Sequence, residues 1–397
     1  MSSNTDALSP AQIKNWHRSN VVLFIFMGAS WTALATRMPL VKHDLGVTAS
    51  QLGLILLGTG IGSIIGLNLV GRLIARWGTK RWIMSFYPTL AVVVILNSVL
   101  IQTHSTLAFT IVAFFMGGLM GITDVSVNVD GTALEKAVGK TLMPRMHAGY
   151  SVGTLAGSGW GALCAAANFS LLWTTLPLAV IAAVLPFLLS RHLPAGIGVE
   201  AKGEAHTDGS AKPAHWFAFV LVLFGLGILG ITLAEGGAGD WMALGFVQGY
   251  HASAANAGFG FTLFFVGMVL VRFYGGAFAD RIGKGRALQL FAAIGVAGVL
   301  MVILGAPNLV VGWVGAALWG AGVALGFPLF LSAAGEGENS AKRVGFVATW
   351  GYGAFLAGPP LLGLLADHLG MLPMFYVIAG FLVVALLVAG AANHKRA

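Results

Sequence analysis

Three features of this 397-residue chain predict an all-α membrane protein of twelve transmembrane helices in two pseudo-symmetric six-helix halves. Apolar residues make up 57% of it and charged residues only 9%, against roughly 25% charged in a soluble globule. Twelve apolar stretches follow one another almost end to end, each close to the roughly 20 residues a helix needs to cross the hydrocarbon core. Finally, a glycine-framed basic turn, "GRLIARWGTKRW" at Gly71–Trp82, returns in thinned form as "GGAFADRIGKGR" at Gly275–Arg286.

The first half, residues 1–190, begins with a polar stretch (Asn4, Asp6, Gln12, Lys14) that lacks the apolar core and cleavage site of a signal peptide. Its spans are read at 18–41, 50–71, 82–102, 107–130, 146–168 and 171–190. Gly149, Gly153, Gly157 and Gly161 recur every fourth residue of the fifth span, a smooth stripe for close helix approach. Cys164 lies in that span and, as the single cysteine, forms no intrachain disulfide. Residues 191–215 are rich in Gly, Ala and charge, carry no apolar period and predict a flexible linker. The second half, residues 216–397, supplies spans at 216–240, 253–275, 287–305, 308–332, 345–366 and 371–391.

With the amino terminus placed in the cytoplasm, all of the 22 Lys and Arg except Arg37 and Lys42 fall on the cytoplasmic side. Such an excess of cytoplasmic Lys and Arg orients membrane proteins. Both termini are therefore expected in the cytoplasm, and the net charge of +8 reflects topology. Nucleic-acid binding would need those cations gathered on one folded surface, whereas here they are scattered over short turns.

The doubled turn sits between the second and third spans of each half, with Gly71 and Gly78 answered by Gly276 and Gly283. "LAG" at Leu155–Gly157 and at Leu356–Gly358 echoes it in the fifth span of each half. Parallel repeats of this kind mark several transporter folds. Together these features resemble the major facilitator superfamily, whose turn reads G-x-L-A-D-R-x-G-R-K. The first copy supplies Gly71, Leu73, Arg76, Gly78 and Lys80 but has Ala75 in the acidic position; the second keeps Gly276, Ala279, Asp280, Arg281 and Gly283, with Lys284 for the arginine. The resemblance implies that the acidic residue caps a helix of the opposite half as a cytoplasmic latch, a contact that helix-dipole physics makes reasonable. It places Asp280 against the start of the fifth span, near Arg145 and His147, and predicts a one-sided latch because Ala75 cannot answer it. Asp124–Gly157, Glu235–Trp241 and Gly351–Asp367 further resemble a bacterial branch of sugar-permease-like facilitators that includes fucose-permease and rhizopine-transport relatives.

On the fourth span, Gly117, Gly121, Asp124, Asn128, Gly131 and Glu135 share one helical face by steps of four and three. Asp124 lies about 26 Å along that helix at 1.5 Å per residue. An ionisable group at that depth is a functional candidate by default; its structural alternative is a pair with Arg145 or with a neighbouring helix end. The resemblance to proton-coupled sugar permeases also points to a fourth-helix carboxylate, with Asn128 as a polar substrate contact. On the seventh span, Glu235 is the second candidate for proton or substrate binding and Asp240 lies at the membrane edge. Gly236, Gly237 and Gly239 are expected to weaken the helix between them. Arg37, near the outer end of the first span, reads either as the outer-gate partner of Asp240 or Glu235, or as a snorkelling cation. Trp31, Trp350 and Tyr352 offer ring faces to a sugar-like cargo, against the alternative of packing or lipid contact. His147 is placed beside the latch.

These residues predict a monomeric secondary transporter in a bacterial cytoplasmic membrane, carrying a small polar molecule such as a sugar or polyol by alternating access. Protons are the favoured coupling ion and sodium the alternative. A proton-driven exporter of amphipathic compounds is the competing reading; the resemblance implies a Gly-Pro signature in the fifth span of such exporters, and this span carries no proline between His147 and Asn168. A non-transporting sensor on the same fold is the third. No catalytic constellation, metal-spaced histidine pair or nucleotide-binding loop is present in the sequence, so neither enzyme activity, a metal nor a cofactor is expected.

Overall fold

The computed structural model describes residues 9–139, 142–199, 215–335 and 340–393; linker residues 200–214 and Lys140, Lys202, Lys212, Lys395 and Arg396 of the charge tally lie outside them. Among the described residues every regular element is a helix. Ten helical stretches among the described residues are long and apolar enough to cross a membrane. The fifth and eleventh expected spans, α6 (Met143–Ala166) and α13 (Ser340–Leu369), are helical but are not among those ten. Both are diluted by glycine and polar residues.

Proline explains where the expected first and tenth spans break. The 18–41 span divides into α1 (Pro10–Ala35) and α2 (Met38–Leu45). Pro39 has no N–H for the Ala35 carbonyl, and its ring crowds that carbonyl. The 308–332 span divides into α11 (Leu309–Val323) and α12 (Gly326–Ala334) in the same way, because Pro328 stands four residues after Ala324. The remaining helices are α3 (Ala49–Trp77), α4 (Thr79–Leu100), α5 (Thr106–Val138), α7 (Leu171–Ser190), α8 (His215–Gly249), α9 (Ala254–Ile282), α10 (Lys284–Leu304) and α14 (Phe375–Val388). Local side chains start several of them. Ser9 and Gln12 cap α1 reciprocally, as Thr48 and Gln51 cap α3. Ser105, Ser170 and Ser253 cap α5, α7 and α9.

The fold forms two compact units, one comprising Met1–Leu34, His43–Val47 and Ile55–Gly209, the other Ala35–Lys42, Thr48–Leu54 and Ser210–Ala397. In the first, Trp16, Phe24, Tyr87, Val127 and Met146 fill the core. Its helices meet backbone to backbone at glycine. A Cβ on Gly117 would strike the Thr59 carbonyl, and one on Gly62 the Phe114 carbonyl, so α3 and α5 touch along a smooth seam. Gly149, Gly153 and Gly157 lay α6 on α1 at Val21, Ile25 and Ala29, the packing role read for that stripe. In the second unit, α9 and α11 repeat the glycine seam through Gly267 and Gly320, and Trp319 stands edge-on to Phe264 and Phe375.

The doubled turn joins α3 to α4 and α9 to α10. Gly78 (φ 76°) and Gly283 (φ 90°) hold backbone conformations that side chains disfavour. Gly71 and Gly276 are ordinary helical residues with open space where a Cβ would go, so only the second glycine of each copy is demanded by geometry. The flexible reading of 191–215 also needs correction at its start. Leu193 and Ile197 are buried, and the Thr79 N–H donates to the Ile197 carbonyl at 2.9 Å, strapping this segment over the first turn.

Candidate functional site

In the first unit, α5 carries three carboxylates with three different environments. Asp124 is half-buried and accepts from the Asn128 amide at 3.0 Å, one turn along; the same amide donates to the Asp124 carbonyl at 2.9 Å. Asp124 and Asn128, read on one helical face as separate candidates, thus bond to each other, and the partner of the carboxylate is Asn128 rather than Arg145. Gly117 and Gly121, read on the same face, are consumed by the α3 seam. Glu135 accepts from the Met143 N–H at 3.0 Å and so caps α6. Asp130, six residues beyond Asp124 and therefore off its face, is fully buried. It accepts from the Trp16 indole at 2.6 Å, the Asn20 amide at 2.8 Å and the Thr79 hydroxyl at 3.0 Å. A buried carboxylate persists only with such partners, and here they tie α1, α4 and α5 together next to Gly78.

In the second unit, Glu235 of α8 pairs with Arg272 of α9 at 2.9 Å, each side chain 27% exposed. The sequence offered Arg37 as an outer-gate partner of Asp240 or Glu235, or as a snorkelling cation, and counted Arg272 among the cytoplasmic cations. Arg272 lies inside α9, ten residues before its end. Its Nε also donates to the Ala324 carbonyl at 3.3 Å. That carbonyl belongs to the α11–α12 break, where Pro328 can offer it no N–H. One guanidinium thus satisfies a carboxylate and a freed backbone acceptor within a membrane-spanning region, as lipid requires.

The glycines after Glu235 do not break α8, which runs unbroken from His215 to Gly249. Gly236 faces Phe355 and Gly237 faces Ile378, so their smallness serves helix packing. Asp240 is half-buried nine residues before the end of α8, inside the span and not at its edge.

Among the other candidates, Arg37 is buried at the α1–α2 break. Trp31 is half-buried, Trp350 lies over Gly225 of α8, and Tyr352 is exposed. Arg76 lies over the Trp77 ring at 4.8 Å. Asp280, Arg281 and Arg145 are exposed. His147 stands edge-on to Phe24, ring centres 5.1 Å apart.

Sequence reasoning missed Asp130, Arg272 as a partner, and Asp367. Asp367, one residue beyond the last apolar position of the eleventh span, accepts from the Ala49 N–H at 2.9 Å and the Ser50 N–H at 2.8 Å. Its slight burial works against the charge, but hydrogen bonds from Ser50, Thr48 and Ala49 outweigh it and hold the carboxyl at about 2. Among the described residues no group of His, Cys, Asp and Glu is arranged to hold a metal ion.

The sequence pattern of the Major Facilitator Superfamily matches residues 21–336 and again 216–393. An uncharacterized MFS-type transporter of Yersinia pestis is 30% identical over 358 residues, 88% of each chain. Among solved structures, a mutant of the nucleoside transporter NupG superposes with a TM-score of 0.76 at 13% identity, covering 96% of this chain and 100% of that one. FucP, solved in the outward conformation, superposes with a TM-score of 0.61 at 15% identity, covering 96% of this chain and 99% of that one.

Proposed function

The chain belongs to the major facilitator superfamily, a family of membrane-embedded secondary transporters, and from that premise we propose that it moves a small polar molecule of sugar or polyol type in exchange for, or together with, protons. The observation that carries this reading is the Glu235–Arg272 pair inside the second unit. Protonation of Glu235 neutralises it and releases a guanidinium, whose N–H fork is then free for the oxygens of a polar cargo. Return of the proton to solvent re-forms the pair and expels the cargo. Asp124, with Asn128 beside it, is the corresponding carboxylate of the first unit.

In this reading Trp31, Trp350 and Tyr352 offer ring faces to the cargo. Arg37 and Asp240 gate one face, and Asp280, Arg281, Arg145 and His147 act at the glycine-framed turns of the other. The lopsided charge distribution supports a bacterial cytoplasmic membrane with both termini inside, and a monomer suffices. Sodium in place of the proton is an outcome of the test.

The test is counterflow in proteoliposomes across sugars, polyols and nucleosides, with Asp124→Asn and Glu235→Gln beside the parent. Accumulation of one solute driven by a pH gradient, lost in either variant, is the expected result. Uptake indifferent to the gradient and unchanged in both variants removes the proton; uptake driven by sodium alone reassigns the ion.

A further inference from the structure

We propose that Asp367 is a gating residue, whose carboxylate clasps the first turn of α3 and must let go of it during each transport cycle. The inference rests on the transport reading for its role, but the clasp itself is defined by geometry. Asp367 sits near the end of α13, and its two oxygens each take one N–H from the start of α3, Ala49 at 2.9 Å and Ser50 at 2.8 Å. The first N–H groups of a helix have no partner of their own, and a carboxylate there also faces the positive end of the helix dipole. The two backbones are in contact around it. A Cβ on Gly363 would lie 2.5 Å from the Ala49 carbonyl, and one on Gly53 would lie 2.6 Å from the Pro359 carbonyl.

Two further observations make this clasp releasable and separate it from ordinary structural capping. First, α3 is one continuous helix, yet Thr48–Leu54 belong to the compact unit of the second half and the rest, from Ile55, to the other. Second, α3 carries a cap of its own. The Thr48 N–H donates to Gln51 Oε1 at 2.9 Å and the Gln51 N–H donates to Thr48 Oγ1 at 3.3 Å. The helix can therefore begin without Asp367, and Asp367, exposed to solvent, is readily rehydrated when it withdraws. The clasp lies at the opposite end of α3 from the basic turn at Gly78, so it acts on the face away from the doubled motif.

The experiment uses the full chain in nanodiscs, with Cys164→Ala removing the buried native thiol and Ala49→Cys, at a buried position of the clasp, as reporter. The rate of labelling by N-ethylmaleimide is read with and without Asp367→Asn. The amide can accept one of the two bonds but carries no charge, so labelling is expected to accelerate roughly fivefold, the equivalent of one lost helix cap. Gln51→Ala is the control, because it strips the helix's own cap and leaves the clasp. Labelling unchanged by Asp367→Asn overturns the proposal, and so does an equal acceleration by Gln51→Ala, which would make Asp367 one more structural cap. The readout needs no cargo, so the clasp stands or falls separately from the counterflow result.

Discussion

Glu235→Gln is the most informative single change, because the amide keeps the shape and an acceptor while removing the charge that Arg272 answers. The contact is 2.9 Å long with both side chains about three-quarters buried. It is therefore neither a solvated surface pair, worth at most about 1 kcal/mol, nor a fully buried one, whose breakage costs about 3 to 5 kcal/mol. A charge-assisted hydrogen bond of this kind contributes about 1.5 to 3 kcal/mol, and we expect Glu235→Gln to destabilise the protein by about 2 kcal/mol within that range. Arg272→Gln should cost more, because it also strands the Ala324 carbonyl freed by Pro328, a further penalty of about 1 to 3 kcal/mol. The double variant should recover part of the loss, since no charge is then left alone.

Thermal melting of the four proteins in detergent gives the cycle, and transport gives the role. A proton carrier converted to an amide should lose accumulation driven by a pH gradient yet keep exchange of cargo at equal pH. Two results refute the reasoning. Full gradient-driven accumulation by Glu235→Gln denies the carboxylate its proton role, and single-variant losses that add to within about 0.5 kcal/mol deny any energetic coupling in the pair.

Pro328→Ala should restore an N–H opposite the Ala324 carbonyl, join α11 to α12 and slow transport; hydrogen exchange would show a protected amide at 328, and a freely exchanging one would contradict the account of the break. Asp130→Ala leaves the Trp16, Asn20 and Thr79 donors without their acceptor, a loss of about 1 to 3 kcal/mol for each buried donor that finds no water. A sharp fall in melting temperature is expected, and a parent-like melt would show that water replaces the carboxylate. The Asp367 carboxyl is depressed to about 2, below the ordinary value of about 3.9. Its clasp therefore adds stability that is complete above the ordinary value and is lost as pH falls through the folded one. Labelling of Ala49→Cys by a pH-insensitive thiol reagent should be flat from pH 8 to about pH 4, and a rise between pH 7 and 5 would identify a different group.

Much of the fold was legible because lipid leaves few choices. The apolar runs, the glycine stripe on α6, the doubled turn and the shared helical face of Asp124 and Asn128 are all local or periodic features, visible at helical spacing along one stretch of chain. The departures have equally local causes, since Pro39 and Pro328 mark the two broken spans. The start of the linker carries no such signal, because Leu193 and Ile197 are too few to form a period. Yet each has a buried site to fill beside the α3–α4 turn.

By itself the sequence determined an all-helical membrane protein with a doubled basic turn, and it did so for a physical reason. A bilayer admits only segments that satisfy their own backbone over about 20 apolar residues, and that requirement is written residue by residue. Only the tertiary structure decided what each charge inside those segments does. Trp16 and Asp130 are 114 residues apart, Glu235 and Arg272 are 37 apart, and Ala49 and Asp367 are 318 apart. None of these separations is a helical period. The pairs form because packed helices bring particular levels side by side, and a charge or freed carbonyl at such a level must take whatever donor or acceptor the neighbouring helix presents.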